Sequence, residues 1–304
     1  MAALFHVRGV EVVDTFAEAF PMTACALVVT AETIEWARIA GTAATGYAAS
    51  VIGCDAEAGI DAELSPGQSP DGRPGVRILF FAFNRDSLEK AVVNRVAQCV
   101  LTCATTAVYG GLEITEKAIR VGGNLRYFGD GWQISKVIGD CRYWRIPTMD
   151  GEFLVVDKAG TTKGVAGGNL IILAETQAAA LNGAMAAAKA ARAVSGVILP
   201  FPGGVVRSGS KVGSKYKALK ASTNEAFCPT LRGVVPGEIP DGVNAAYEIV
   251  IDGLIIEMVS TAMRAGLHAA CRIPGVKRIT AGNFGGKLGP HHFFLRDLLG
   301  DPEG

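Results

Sequence analysis

The chain has 304 residues and sets 29 Lys plus Arg against 29 Asp plus Glu. That balance leaves no general field to attract nucleic acid or an anionic membrane, and both are excluded as expected partners. Hydrophobic residues make up 49% and charged ones 19%, with a mean hydropathy of +0.30, so this is a globular chain of about two domains whose apolar surplus implies faces covered by other subunits.

Strand-like and helix-like segments alternate from the start. Glu11 and Asp14 interrupt the opening residues, which lack the apolar run and basic flank of a signal peptide. Ala24–Thr30 reads as a strand, the segment after it as a helix on the spacing of Ile34, Ala37 and Ala40, and Ala48–Cys54 as a second extended stretch. Val76–Phe83 reads as a strand and Ser87–Val100 as a helix, with Leu88, Val92, Val96 and Val100 in one stripe and Arg85 to Ser87 supplying the cap. Residues 65–75 are too rich in proline and glycine to be anything but a connecting loop. After residue 104 the Gly-, Tyr- and Trp-punctuated sequence predicts short strands and turns, with a lobe boundary near 155.

The second half repeats the scheme. Asn169–Ala174, Val197–Phe201, Ala245–Ile251 and Val276–Thr280 read as strands, with helices over Ala178–Val194 and Ile255–Cys271. Asn182, Lys189 and Arg192 break the alanine-rich helix, so it is not a membrane span, and a cytoplasmic protein is expected. Two strand-helix-strand units per half predict an α+β chain of two ferredoxin-like sandwich lobes, 1–155 and 156–304, with mainly antiparallel sheets. A doubly wound sheet is the alternative. Against it, no GxGxxG follows a strand, and residues 281–288 lack the first glycine and the Ser or Thr of a phosphate-binding loop.

Seven cysteines occur without CxxC spacing or a histidine to complete a zinc set, so no metal site is expected. Cys99 and Cys103, four apart on a helix, read as small core residues. No Ser, His and acid set or Cys and His pair has recognisable context, which leaves direct transfer simpler than covalent catalysis.

Candidate chemistry gathers in the loops and on one strand. The segment Ile-Thr-Ala-Gly-Asn-Phe-Gly-Gly-Lys-Leu-Gly (279–289) joins a buried strand to a glycine-rich loop holding Asn283, Phe284 and Lys287, where bare backbone can approach a ligand. Lys211, Ser214 and Lys215 lie in a loop (201–215) suited either to a ligand's carboxylate or phosphate or simply to solvent. Residues 53–61 and 221–230 are read as two further polar loops. Asp14 to Phe20 either lines a cleft or forms a capped first turn that buries Phe16 and Phe20. Glu248 interrupts an apolar strand on the face of Ala246 and Val250. If that face is covered, desolvation raises its pKa and makes it a proton shuttle near neutral pH; if it faces water, it has no role.

Nine segments in order resemble the formylmethanofuran:tetrahydromethanopterin formyltransferase family: Asp-Thr-Phe-Ala-Glu-Ala-Phe (14–20), Cys-Asp-Ala-Glu-Ala-Gly-Ile-Asp (54–61), Pro-Asp-Gly-Arg-Pro-Gly-Val (70–76), Thr-Lys-Gly-Val-Ala-Gly-Gly-Asn (162–169), Phe-Pro-Gly-Gly (201–204), Ser-Lys-Val-Gly-Ser-Lys (210–215), Ala-Ser-Thr-Asn (221–224), Tyr-Glu-Ile-Val-Ile (247–251) and Ala-Gly-Asn-Phe-Gly-Gly-Lys-Leu-Gly (281–289). Residues 104–126 and the tail after Leu299 are least similar to the family, and nothing is carried over there. The resemblance implies a cytoplasmic enzyme of one-carbon metabolism that moves a formyl group between a methanofuran-type amine and a tetrahydromethanopterin-type ring nitrogen. It further implies a homotetramer without metal or prosthetic group. The balanced charge is closer to a bacterial formaldehyde-oxidation member, whose relatives work with amidohydrolase-like partner subunits, than to the acidic archaeal members. By its match to the family segment, Glu248 takes the catalytic role; Lys211, Lys215 and Lys287 are expected to meet carrier anions, with Ser214 beside the first two, and Asn169, Asn224 and Asn283 to position the carriers. The competing expectation is a non-catalytic subunit that binds carrier for a hydrolase, because fold alone does not choose a function.

Overall fold

The computed structural model describes residues 3–114 and 117–300. The end of the C-terminal tail, residues 301–304, lies outside them, as do residues 115 and 116 within the stretch of weak resemblance. By contact the chain forms two units, one of Met22–Gly164 and one of Met1–Pro21 with Val165–Gly304. This differs from a cut at residue 155. The first 21 residues join the C-terminal segment because strand pairing ties them there, Val12 lying opposite Ile279.

The strands of the chain begin with β1 (Leu4–Val7), β2 (Val10–Val13) and β3 (Phe16–Thr30), and β3 contributes to both units. In the unit of Met22–Gly164, α1 (Ile34–Thr45), β4 (Glu57–Leu64), β5 (Gly75–Ala82), α2 (Arg85–Arg95) and β6 (Ala107–Gly110) follow the end of β3. The strand order is β4-β5-β3-β6, antiparallel throughout. Leu88 and Val92 of α2 and Ala37 and Ala40 of α1 pack on Leu27, Ile78 and Phe80 in one core. Beyond β6, β7 (Ala118–Arg120) and α3 (Gly122–Leu125) lead to β8 (Ile134–Ile138), β9 (Cys141–Thr148) and β10 (Gly151–Val156), which extend the sheet as β6-β10-β9-β8. The β6–β10 pair is parallel.

Capping explains the helix boundaries. Thr33 accepts a hydrogen bond from Trp36 N at 3.4 Å, and Asn84, one residue before the expected cap, accepts one from Ser87 N at 2.9 Å. The buried Arg95 guanidinium donates to the carbonyls of Ala44 and Gly46 at 2.8 and 2.7 Å, satisfying the C-terminus of α1. Two expectations are corrected. The expected strand at Ala48–Cys54 is a turn in which Cys54 N donates to Ser50 O at 2.8 Å. The strand is instead β4, which starts within the stretch 53–61 read as a polar loop and runs on to Leu64, with Asp61 paired by Arg77 at 2.6 Å.

In the other unit, β11 (Lys158–Ala174) enters with residues 165–174 and is followed by α4 (Gln177–Arg192), β12 (Val197–Ile198), β13 (Lys211–Val212), β14 (Ala221–Ser222), β15 (Ala245–Gly253), α5 (Ile256–Ala270), β16 (Val276–Thr280), β17 (His291–Phe294) and α6 (Leu295–Leu298). The order β16-β11-β15-β12 is again antiparallel. On β16's outer edge, β2 adds in parallel, with Ile279 opposite Val12, and β17 pairs the start of β3. Helices α4 and α5 cover one sheet face, burying Ala180, Ala184 and Ala187 with Val259 and Met263 over Leu170, Ile172, Ile249 and Ile251. Small residues set the separation of the helices: a Cβ on Gly266 would lie 3.3 Å from Ala187 O. The sheets are thus mixed: the β6–β10 and β2–β16 pairs are parallel, whereas those within β4-β5-β3-β6 and β16-β11-β15-β12 are antiparallel.

Candidate active site

Glu248 lies in β15, opposite Ile171 of β11, which is itself opposite Thr280 of β16. Directly paired residues share a face, so Asn169, Ile171, Leu173, Ala246, Glu248, Val250 and Thr280 all lie on the side away from α4 and α5. That side is covered. Ile171, Leu173 and Val243 form a small buried cluster with Phe227, Ile239 and Ala246, and Val206 returns the 201–215 loop to β15, its N–H donating to Glu248 O at 2.7 Å and its carbonyl accepting from Glu248 N at 3.0 Å. Glu248 is half-buried. Enough protein surrounds its carboxyl that desolvation pushes the pKa up to about 7. No hydrogen bond or ion pair offsets that penalty among the described residues.

The loop after β16 begins beside this face. Asn169, only 7% exposed, donates to the carbonyls of Gly167 and Gly282 at 3.1 Å each and accepts from Gly282 N at 2.6 Å. Asn283 donates to Thr15 Oγ1 and Phe16 O at 3.1 Å each and accepts from Gly285 N. The loop then closes around Glu18 of β3, whose carboxylate accepts from Phe284 N (2.7 Å), Gly286 N (2.9 Å), Leu288 N (2.5 Å) and Gly289 N (2.6 Å). Burial raises the Glu18 pKa, and the four peptide donors outweigh it, leaving the group below its ordinary value. Residues 14–20 are therefore no capped first turn: β3 runs from Phe16, with Glu18 buried.

These contacts sort the expected residues into two groups. Asn283 and Lys287 lie in one loop, to which Asn169 of β11, on the face of Glu248, is fastened through Gly282; both asparagine amides are engaged with backbone, while Lys287 is exposed. Lys211, Ser214, Lys215 and Asn224 form the second group, around the β13–β14 hairpin in which Lys211 is opposite Ser222. There Lys211 pairs with Glu225, and Lys211 first, with Lys215 further off, holds that carboxyl below its ordinary range. Ser214 Oγ accepts from Tyr216 N at 3.0 Å. Asn224 is half-buried, and its side chain makes no capping bond to the turn it begins. Sequence reasoning missed the parts of Glu18 and Glu225. For Glu18 the signal was a carboxylate in an apolar run, which obliges the fold to bring donors to it. Among the described residues no group of three His, Cys, Asp or Glu stands close enough to hold a metal ion, and no helix is long and apolar enough to cross a membrane.

Family models match nearly all of the chain. Residues 5–148 match formylmethanofuran-tetrahydromethanopterin formyltransferase, and residues 151–298 match the proximal lobe of the same family. The chain belongs to this formyltransferase family. A relative from Methylococcus capsulatus, a formylmethanofuran–tetrahydromethanopterin formyltransferase, is 54% identical over 296 residues, covering 96% of this chain and 99% of its own. Among solved structures, a formyltransferase/hydrolase complex from Methylorubrum extorquens with methylofuran contains a chain that is 51% identical, with a TM-score of 0.96 and coverage of 99% and 100%. The formyltransferase from Methanosarcina barkeri is 48% identical, with a TM-score of 0.92 and coverage of 97% and 100%. This formyltransferase chain therefore transfers formyl groups, and methanofuran-type and tetrahydromethanopterin-type carriers are its substrates.

Proposed function

We propose that Glu248 is the proton shuttle of direct formyl transfer between the two carriers. The observation that carries this reading is a carboxyl with a pKa near 7 on a covered strand face, beside a loop fixed in place. Transfer exchanges one N-formyl bond for another, so no nucleotide is needed to drive it; the barrier lies in attack on an unreactive amide and in expelling a basic amine. The acceptor nitrogen adds to the formyl carbon, the carbonyl electron pair moves onto oxygen, and Glu248 takes the proton from the attacking nitrogen. When the tetrahedral intermediate collapses, the bond to the donor nitrogen breaks and Glu248 returns the proton to it.

The intermediate's oxyanion needs donors, each worth ~3 kcal/mol. The amides of residues 284, 286, 288 and 289 are committed to Glu18, which leaves side chains such as Lys287 and Asn224. Lys211, Ser214 and Lys215 are assigned to carrier anions at the hairpin, and Asn169 and Asn283 to holding the loop against the carriers. Orientation of two large carriers with water excluded supplies the rest of the acceleration.

The chain's finer architecture is assigned as two ferredoxin-like lobes, a reading supported by the strand orders β4-β5-β3-β6 and β16-β11-β15-β12. It is further assigned as a cytoplasmic homotetramer needing no prosthetic group and working beside an amidohydrolase-like subunit, a reading supported by the relative described as part of a formyltransferase/hydrolase complex. The test is to mix the purified chain alone with a formylated methanofuran analogue and tetrahydromethanopterin. Formylated pterin should accumulate by absorbance; a carrier-binding subunit would give binding without turnover.

A further inference from the structure

We propose that Glu18 is a positioning residue for formyl transfer, an internal anion around which the 284–289 loop is wound into the shape that receives a carrier. This rests on the placement of the reaction beside Glu248. Glu18 is 1% exposed and has no ion-pair partner among the described residues, so its charge is held by peptide dipoles alone. Four of the six residues from Phe284 to Gly289 aim their N–H groups at it, the arrangement a concave backbone makes around a bound anion.

Two consecutive left-handed glycines, Gly285 and Gly286, both at φ 71°, produce the curl. At the far end a Cβ on Gly289 would lie 2.3 Å from Ala19 O, so the loop sits directly on the Glu18 strand. At the near end it is fastened to Asn169, on the face of Glu248. The side chains that remain outward are Lys287 and Leu288, both exposed, while Phe284 meets the Phe20 ring at 6.4 Å. The loop's donors are thus spent on its own shape, and what it offers a carrier is a preformed edge with Lys287 upon it. Losing Glu18 leaves the proton shuttle in place and unmakes that edge, so binding suffers before chemistry.

The experiment uses the full chain with Glu18→Gln, which puts a donor where two peptide N–H groups point. Amide hydrogen exchange over 281–290 and steady-state kinetics with both carriers are measured together. The expected result is exchange faster by about tenfold or more in that segment alone, with KM for at least one carrier raised about tenfold and kcat within about threefold of wild type. A loosened loop with both KM values unchanged would overturn the proposal, as would a fall in kcat at constant KM. Should Glu18→Gln fail to fold, Gly285→Ala perturbs the curl by backbone strain alone, since its Cβ meets nothing within 4 Å; the same KM-only pattern is expected, and normal KM values would count against the idea. Glu248→Gln run alongside separates the failures: turnover there defeats the proton shuttle, whereas the Glu18 assignment is read only from the loop variants.

Discussion

Glu248 carries an ionisation that opposes the fold and serves the chemistry. Its pKa, raised from 4.5 to about 7 by desolvation, means that the folded chain holds a proton more tightly than the unfolded chain does. Its contribution to stability is complete below the unfolded value of ~4.3 and is lost as pH rises through about 7. Glu248→Gln should therefore stabilise the fold, little at pH 5 and by about 2–4 kcal/mol at pH 8, at ~1.4 kcal/mol per pKa unit; a larger rise in melting temperature over wild type at pH 8 than at pH 5, in thermal melts, checks it. Glu18 has the opposite sign. Its lowered pKa contributes stability above the unfolded value, lost as pH falls through the folded one. Glu18→Gln should cost about 3 kcal/mol or more at neutral pH, and urea titrations should show that gap narrowing in acid. Glu248 stood out in the sequence as a carboxylate interrupting an apolar strand. The covered face of Glu248 was one of two readings open to strand alternation; the role of Glu18 was not legible, because its donors lie more than 260 residues along the chain.

The elements divide by how much of their pairing is local. Helices α4 and α5 and strand β16 were legible from periodicity, since a single amphipathic or apolar run decides each. The first half of β3 and strand β4 were not. Pairing with β17 and β5 makes these segments strands, and neither partner lies within the stretch being read. The alanine run in α4, read from the sequence only as a sign against a membrane span, brings α5 close: Ala187 is fully buried and its carbonyl faces Gly266. Ala187→Leu should overpack this contact and cost about 1–3 kcal/mol, measurable as a lower urea midpoint with an unchanged m-value.

At the scale of the whole molecule, the sequence's apolar surplus has a visible counterpart. Tyr127, Phe128 and Trp132 are 67%, 69% and 78% exposed, and Ile134 and Val137 of β8 are 61% and 60% exposed. A surface of this kind accords with the proposed homotetramer, and light scattering should return four times the 31.6 kDa chain mass. The sequence showed alternating strand-helix-strand units and hence two units, but not that the first 21 residues belong with the last 140; a long-range parallel pair such as β2–β16 leaves no local signature.

Formyl transfer here depends on proton transfer by one carboxyl, so the decisive measurement is the turnover of Glu248→Gln at pH 7 on protein of wild-type fold and oligomeric state. A loss of about 10²- to 10⁴-fold in kcat is expected. Formyl transfer at near the wild-type rate would contradict it.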